Sequence, residues 1–181
     1  MPSTAARIEA LLFTREQPLP RVVIADALML DESDVQAGLQ ALAERYGESA
    51  MEVVEVAGGW RLQLRAEYYD DLQALENREP PRYSRAFWET LAYIAYHQPC
   101  TRAEIDAVRG VSTGSGIYRQ LFDLEWIRVV GHRELPGRPE LLATTRDFLN
   151  DFALKALDEL PPLSDETPPT VDDDMQQGTP L

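Results

Sequence analysis

Apolar residues recur at helical spacing in the first part of the chain. Ile8, Leu11 and Leu12 form an i, i+3, i+4 stripe, and Val35, Leu39, Leu42 and Tyr46 form a longer one. The first stripe predicts a helix that Pro18 and Pro20 stop, because the residue ahead of a proline avoids the helical region. Val22, Val23 and Ile24 to Leu30 read as a short second helix. Asp31 is placed as the N-cap of a third, with Glu32 and Asp34 in the first turn, where the helix dipole favours acids. Gly47 is placed at its C-terminal stop. The period then drops to two. Trp60, Leu62 and Leu64 alternate with Arg61, Gln63 and Arg65, and Gly58-Gly59 reads as the two-residue turn of a β-hairpin.

The same order returns further along. Phe87, Leu91, Ile94 and Ala95 predict a helix ended by Pro99, and "TRAE" (Thr101 to Glu104) is a capping box opening the next helix, which Gly110 ends. "VSTGSG" follows as a turn with Ser112, Thr113 and Ser115 as cap candidates. Ile117, Leu121 and Leu124 stripe a third helix. "WIRVVG" (126–131) and "ELLATT" (140–145) read as strands, with the Pro136, Gly137 and Pro139 break between them as the hairpin tip. Residues 146–149 and 155–160 read as short closing helices. "REQPLPRVVI" at 15–24 also aligns in pattern with "YHQPCTRAEI" at 96–105. The reading is therefore mainly α with small β-hairpins (α+β), in two tandem winged-helix domains. The domains are placed at 1–78 and 84–162, with a linker at 79–83 and a disordered acidic C-terminal tail at 163–181.

Composition narrows the function. With 44% hydrophobic residues in 181, a packed core is expected, and no apolar run approaches the roughly 20 residues needed to cross a bilayer. The first residues lack the basic start and apolar stretch of a signal peptide. The single cysteine, Cys100, forms no internal disulfide and fits a reducing cytoplasm. Net charge is −14, which opposes phosphate binding. The charge is uneven: residues 1–83 carry 8 basic and 15 acidic side chains, 84–162 carry 9 and 11, and 163–181 carry 5 acids and no base. An anion-binding surface would lie in the middle region.

Catalytic patterns are missing from the sequence. Two histidines, His97 and His132, and one cysteine make no zinc set. No nucleophile elbow is present, and "GVSTGSG" lacks the Gly-Lys-Ser/Thr ending of a phosphate loop. No cofactor and no metal are expected, and the chain reads as a non-enzyme. Cys100 at a helix start has two readings, a reactive thiol or a small apolar filler.

Winged helices often place the third helix in the DNA major groove. Here the first unit's third helix carries Asp31, Glu32, Asp34, Glu44 and Glu48 against Arg45, which phosphates would repel. The second hairpin offers Arg128, His132, Arg133 and Arg138, which suit an acidic or backbone-presenting protein partner better than a groove. A winged-helix DNA-binding transcriptional regulator remains the alternative.

"ARIEALLFTREQPL", "VEVAGGWRLQLRAEYYDDL", "LAYIAYHQPCTRAEIDAVRGV" and "GRPELLATT" together resemble the segregation and condensation protein B family, over about residues 5–163. The resemblance implies a homodimer joined largely through its N-terminal domains. It also implies a kleisin partner (segregation and condensation protein A) and, through it, an SMC ATPase acting in chromosome condensation and segregation. Direct DNA binding would be weak or absent, and the protein would be cytoplasmic, nucleoid-associated through its partners. In such a family the partner surface lies mainly on the second domain, which points to Arg102, Arg109 and Arg138. The alternative for each is a solvated arginine or a structural ion pair.

Overall fold

A computed structural model describes residues 2–69 and 82–163. The end of the first expected domain (70–78), most of the expected linker (79–81) and the tail from 164 onward lie outside the described residues. Three helices open the chain: α1 (Thr4–Phe13), α2 (Arg21–Leu28) and α3 (Glu32–Arg45). An antiparallel hairpin of β1 (Met51–Val56) and β2 (Gly59–Leu64) follows. The order repeats with α4 (Arg85–His97), α5 (Arg102–Arg109), α6 (Ser115–Asp123), β3 (Ile127–His132) and β4 (Glu140–Thr144), and α7 (Arg146–Asp151) closes it. The fold is thus helical with two small antiparallel hairpins, α+β.

The hydrophobic stripes account for the packing. Ile8, Leu12, Val35, Leu39 and Leu42 are buried in one cluster, with Val53, Trp60 and Leu62 of the hairpin laid against it. Phe87, Leu91, Ile94, Ile105 and Leu121 are buried in a second. Each aliphatic side chain so buried contributes about 1.5–3 kcal/mol. In both units the segment after the first helix adds a third strand-like bridge to the hairpin. Leu19 exchanges backbone hydrogen bonds with Trp60 (2.9 and 2.8 Å), and Cys100 with Leu142 (3.1 and 2.7 Å). β2 and β4 are therefore flanked on both sides, and β1 and β3 are the edges.

Several local expectations change. The first hairpin turns at Ala57-Gly58, one residue earlier than expected, and Gly59 already pairs with Val56 in the ladder. Gly59 is required for another reason. Its φ is +124°, and a Cβ there would stand 2.3 Å from the carbonyl carbon of Leu19. Asp31 is the N-cap of α3 by position, but its side chain makes no capping hydrogen bond. α3 ends at Arg45 with Tyr46 as its cap, and Gly47 has no left-handed backbone. Ser112, Thr113 and Ser115 cap nothing: the N-cap of α6 is Gly114, and Asp106 fixes the turn by accepting from the Thr113 N–H at 2.8 Å. Tyr118 is buried beside Leu121, whereas Ile117 and Leu124 pack at the margin of the core. The closing segment at 155–160 is a single 3₁₀ turn, Leu157–Glu159. The Thr101–Glu104 capping box has both of its hydrogen bonds, and Gly110 ends α5 in the left-handed region.

Candidate partner-binding site

The second hairpin is held to α5 by two ion pairs. Arg102 Nη2 reaches Glu140 Oε2 at 3.1 Å and Arg133 Nη1 reaches Glu104 Oε1 at 2.6 Å. The Arg102 guanidinium also lies 4.7 Å over the Tyr118 ring. The Glu104 carboxyl sits below the usual range, chiefly because the Thr101 backbone N–H donates to it. Exposed pairs of this kind contribute only about 0.2–1 kcal/mol each. Their effect is to fix the direction in which the hairpin projects.

The tip is a tight turn. The Arg138 N–H donates to the Leu135 carbonyl at 2.8 Å, with Pro136 and Gly137 as the central pair and Gly137 at φ 84°. Proline followed by a positive-φ glycine is the make-up of a type II turn. Arg138 leaves it exposed, at φ 41°, with no ion pair among the described residues.

The three candidate arginines do not converge. Arg102 and Arg109 stand at opposite ends of α5, roughly 10 Å apart along its axis, and Arg138 is at the hairpin tip. Arg109 is the most engaged: its side chain is only 12% exposed, it pairs with Glu89 at 3.4 Å, and it donates to Thr113 Oγ1 at 2.7 Å. It braces α5 against α4 and the following turn. Glu89 is held below the usual carboxylate range, first by Arg85 and then by Arg109. Cys100 is the filler of the two readings. It is buried, and burial pushes its thiol up to about 11, the reverse of an activated nucleophile. His97 stacks on Tyr93 with ring centroids 4.5 Å apart. Among the described residues no three His, Cys, Asp or Glu side chains group as metal ligands. No described helix is long and apolar enough to cross a membrane.

Sequence reasoning missed an apolar surface on the first unit. Met29, 93% exposed, caps α2 in the left-handed region, and Phe13, 75% exposed, ends α1. Val22 and Val23 are also exposed, and Val23 lines a groove with Leu11 and Leu19 between the two helices. The available signal was the run Val22-Val23-Ile24. Three consecutive apolar residues cannot all face one core, and only Ile24 does.

Known proteins with similar sequences include the segregation and condensation protein B homolog of Coxiella burnetii. It is 45% identical over 162 residues, spanning 87% of this chain and 78% of that protein. The segregation and condensation protein B of Syntrophotalea carbinolica is 41% identical over 164 residues, 90% of this chain and 83% of its own. A solved structure described as a dimer of the ScpB N-terminal domain complexed with ScpA peptide is 27% identical, with 39% of this chain and 91% of that one covered, at a TM-score of 0.37. The family model for segregation and condensation complex subunit ScpB matches residues 6–163. With that match spanning nearly every described element, the chain belongs to the ScpB family of segregation and condensation complex subunits.

Proposed function

We propose that this chain is a non-catalytic adaptor. Two winged-helix domains, at 1–78 and 84–162, form a homodimer through the first, capture the kleisin subunit through the second, and thereby join an SMC ATPase in chromosome condensation and segregation. The protein would act in the cytoplasm, reaching the nucleoid through its partners. The observation that carries the dimer is the exposed apolar set on α1 and α2, above all Met29 and Phe13. Side chains of that size in water favour a protein contact. The outward face of α3 presents Asp31, Glu32, Asp34 and Glu44, which disfavours that helix as a DNA reader.

On the second unit Arg138 is the free anchor, Arg102 is a contact that must share its charge with Glu140, and Arg109 supports α5 from behind. Light scattering tests the dimer. Met29→Lys with Phe13→Lys should convert a dimer to a folded monomer, and a dimer unchanged by both would remove this face from the reading. Capture of purified kleisin tests the rest. Arg138→Ala should weaken it with the thermal midpoint unchanged, and no stable complex with the unaltered chain would end the adaptor proposal.

A further inference from the structure

The two units touch at the first hairpin. The Ala57 N–H donates to the Leu154 carbonyl at 2.9 Å, the Gly58 N–H donates to Asn150 Oδ1 at 2.7 Å, and Lys155 pairs with Glu55 at 3.2 Å. Beside this contact lies a hollow of about 430 Å³, whose walls include Gln98, Arg128, Arg146, Leu149, Lys155 and Leu157. Three of its lining residues are cations and none is a carboxylate. In a chain of net charge −14 that is a local inversion.

Lys155 is paired with Glu55, and the other two cations are unused. Of the second unit's arginines, Arg85, Arg102, Arg109, Arg119 and Arg133 are ion-paired. Arg128 and Arg146 are exposed and have no ion pair or hydrogen bond from their side chains among the described residues. Guanidinium groups left free on the wall of a concave site suit carboxylate or phosphate, and overall negative charge selects against a polyanion as long as DNA.

The chain itself supplies carboxylates. Residues 164–181 contain Asp165, Glu166, Asp172, Asp173 and Asp174 and no basic side chain. The chain approaches them from the hollow: Leu157 lines it, and Tyr96, two residues before Gln98 on the same segment, donates to the Pro161 carbonyl. From Leu157 to Glu166 is nine residues, a span of up to about 30 Å when extended. A tethered segment also acts at an effective concentration on the order of millimolar, so a weak ionic contact is well occupied.

We propose that residues 164–181 dock in cis into this hollow, their carboxylates paired by Arg128 and Arg146. The assignment is independent of the adaptor reading. It gives the cleft between the units an occupant that any other acidic segment would have to displace.

The test uses the full chain with Asp173→Cys carrying a nitroxide, Cys100 being buried. Amide signals of Gln98, Arg128 and Thr144 to Arg146 should be attenuated at least twofold more than those of α1 and α2 at low salt. The attenuation should be lost in Arg128→Glu/Arg146→Glu, and in about 0.5 M salt, where screening reaches only a few Å. Attenuation spread evenly over both units, or unchanged by the double charge reversal, would overturn the proposal. So would a DNA duplex that shifts the same amides in a chain whose tail label leaves them untouched, since the hollow would then be a phosphate site.

Discussion

The two units share an order of elements and differ in what fills them. The first core is aliphatic, with Ile8, Ile24, Leu39 and Leu42 fully buried. The second is built around rings. Tyr83 and Phe87 stack at 4.3 Å, Trp126 meets Phe152 at 5.0 Å, and Phe148 meets Phe152 at 4.7 Å. The tryptophans show the same contrast. Trp126 donates its indole N–H to Asp151 at 2.7 Å, whereas the buried indole nitrogen of Trp60 has no partner among the described residues. One backbone plan therefore accepts two packing solutions, aliphatic in the first unit and ring against ring in the second.

The comparison breaks most easily at the cores. Phe87→Ala should cost about 4 kcal/mol and Leu39→Ala about 3 kcal/mol. Near-ultraviolet dichroism should follow the second unit's rings in the first variant and stay nearly native in the second. If both substitutions abolish the ring signal together, the units unfold as one. Next come the hairpins. Gly59→Ala should cost about 2–3 kcal/mol, because left-handed backbone and a blocked Cβ coincide there. Gly137→Ala, at φ 84° in open space, should cost about 1 kcal/mol. Denaturant melts of the pair rank them, and equal losses would mean that the Leu19 contact adds nothing.

Smaller still is the capping pair. Thr101→Ala removes a hydrogen-bonded N-cap and should cost about 1 kcal/mol, while Asp31→Ala should cost a few tenths at most. The smallest effect is in pH. Burial pushes the folded Cys100 thiol from its ordinary value of 9.0 up to about 11. Between those values the folded chain binds more protons than the unfolded one, so stability falls as pH rises from 9.0 towards about 11. Cys100→Ala should flatten that slope. The first unit contains no cysteine and should show no such slope until Tyr46, held above its ordinary value of 10.0 chiefly by its hydrogen bond to Glu9, begins to titrate.

What was legible in the sequence was what local chemistry decides. The stripes through Ile8 and Leu12, Leu39 and Leu42, and Leu91 and Ile94 face the cores as expected, and "TRAE" forms its box because both partners lie within one turn. The misplaced turn has a distant cause. Gly58-Gly59 resembles a turn dipeptide, but Gly59 is demanded by Leu19, forty positions earlier, approaching across the ladder. Tyr118 was overlooked because a stripe drawn through Ile117 is shifted by one residue from the side that the core covers. Of the candidate arginines, Arg109 could not be told from a free surface cation without Glu89, twenty positions away on another helix. The hollow was invisible for the same reason, since its cations come from β3, α7 and the segment beyond it.

The tip of the first hairpin is completed by the far end of the chain. Asn150 is 92 positions from Gly58, is itself buried, and stands where a Cβ on that glycine would come within 2.8 Å of its oxygen. The amides of Ala57 and Gly58 thus owe their protection to the other unit and not to their own sheet. Their hydrogen-exchange rates become a clock for the association of the two halves. As long as exchange at these two positions is slower than at other turn amides, the halves are moving as one body. When it rises to the rate of an open loop while Trp60 stays protected, they have parted without either one unfolding.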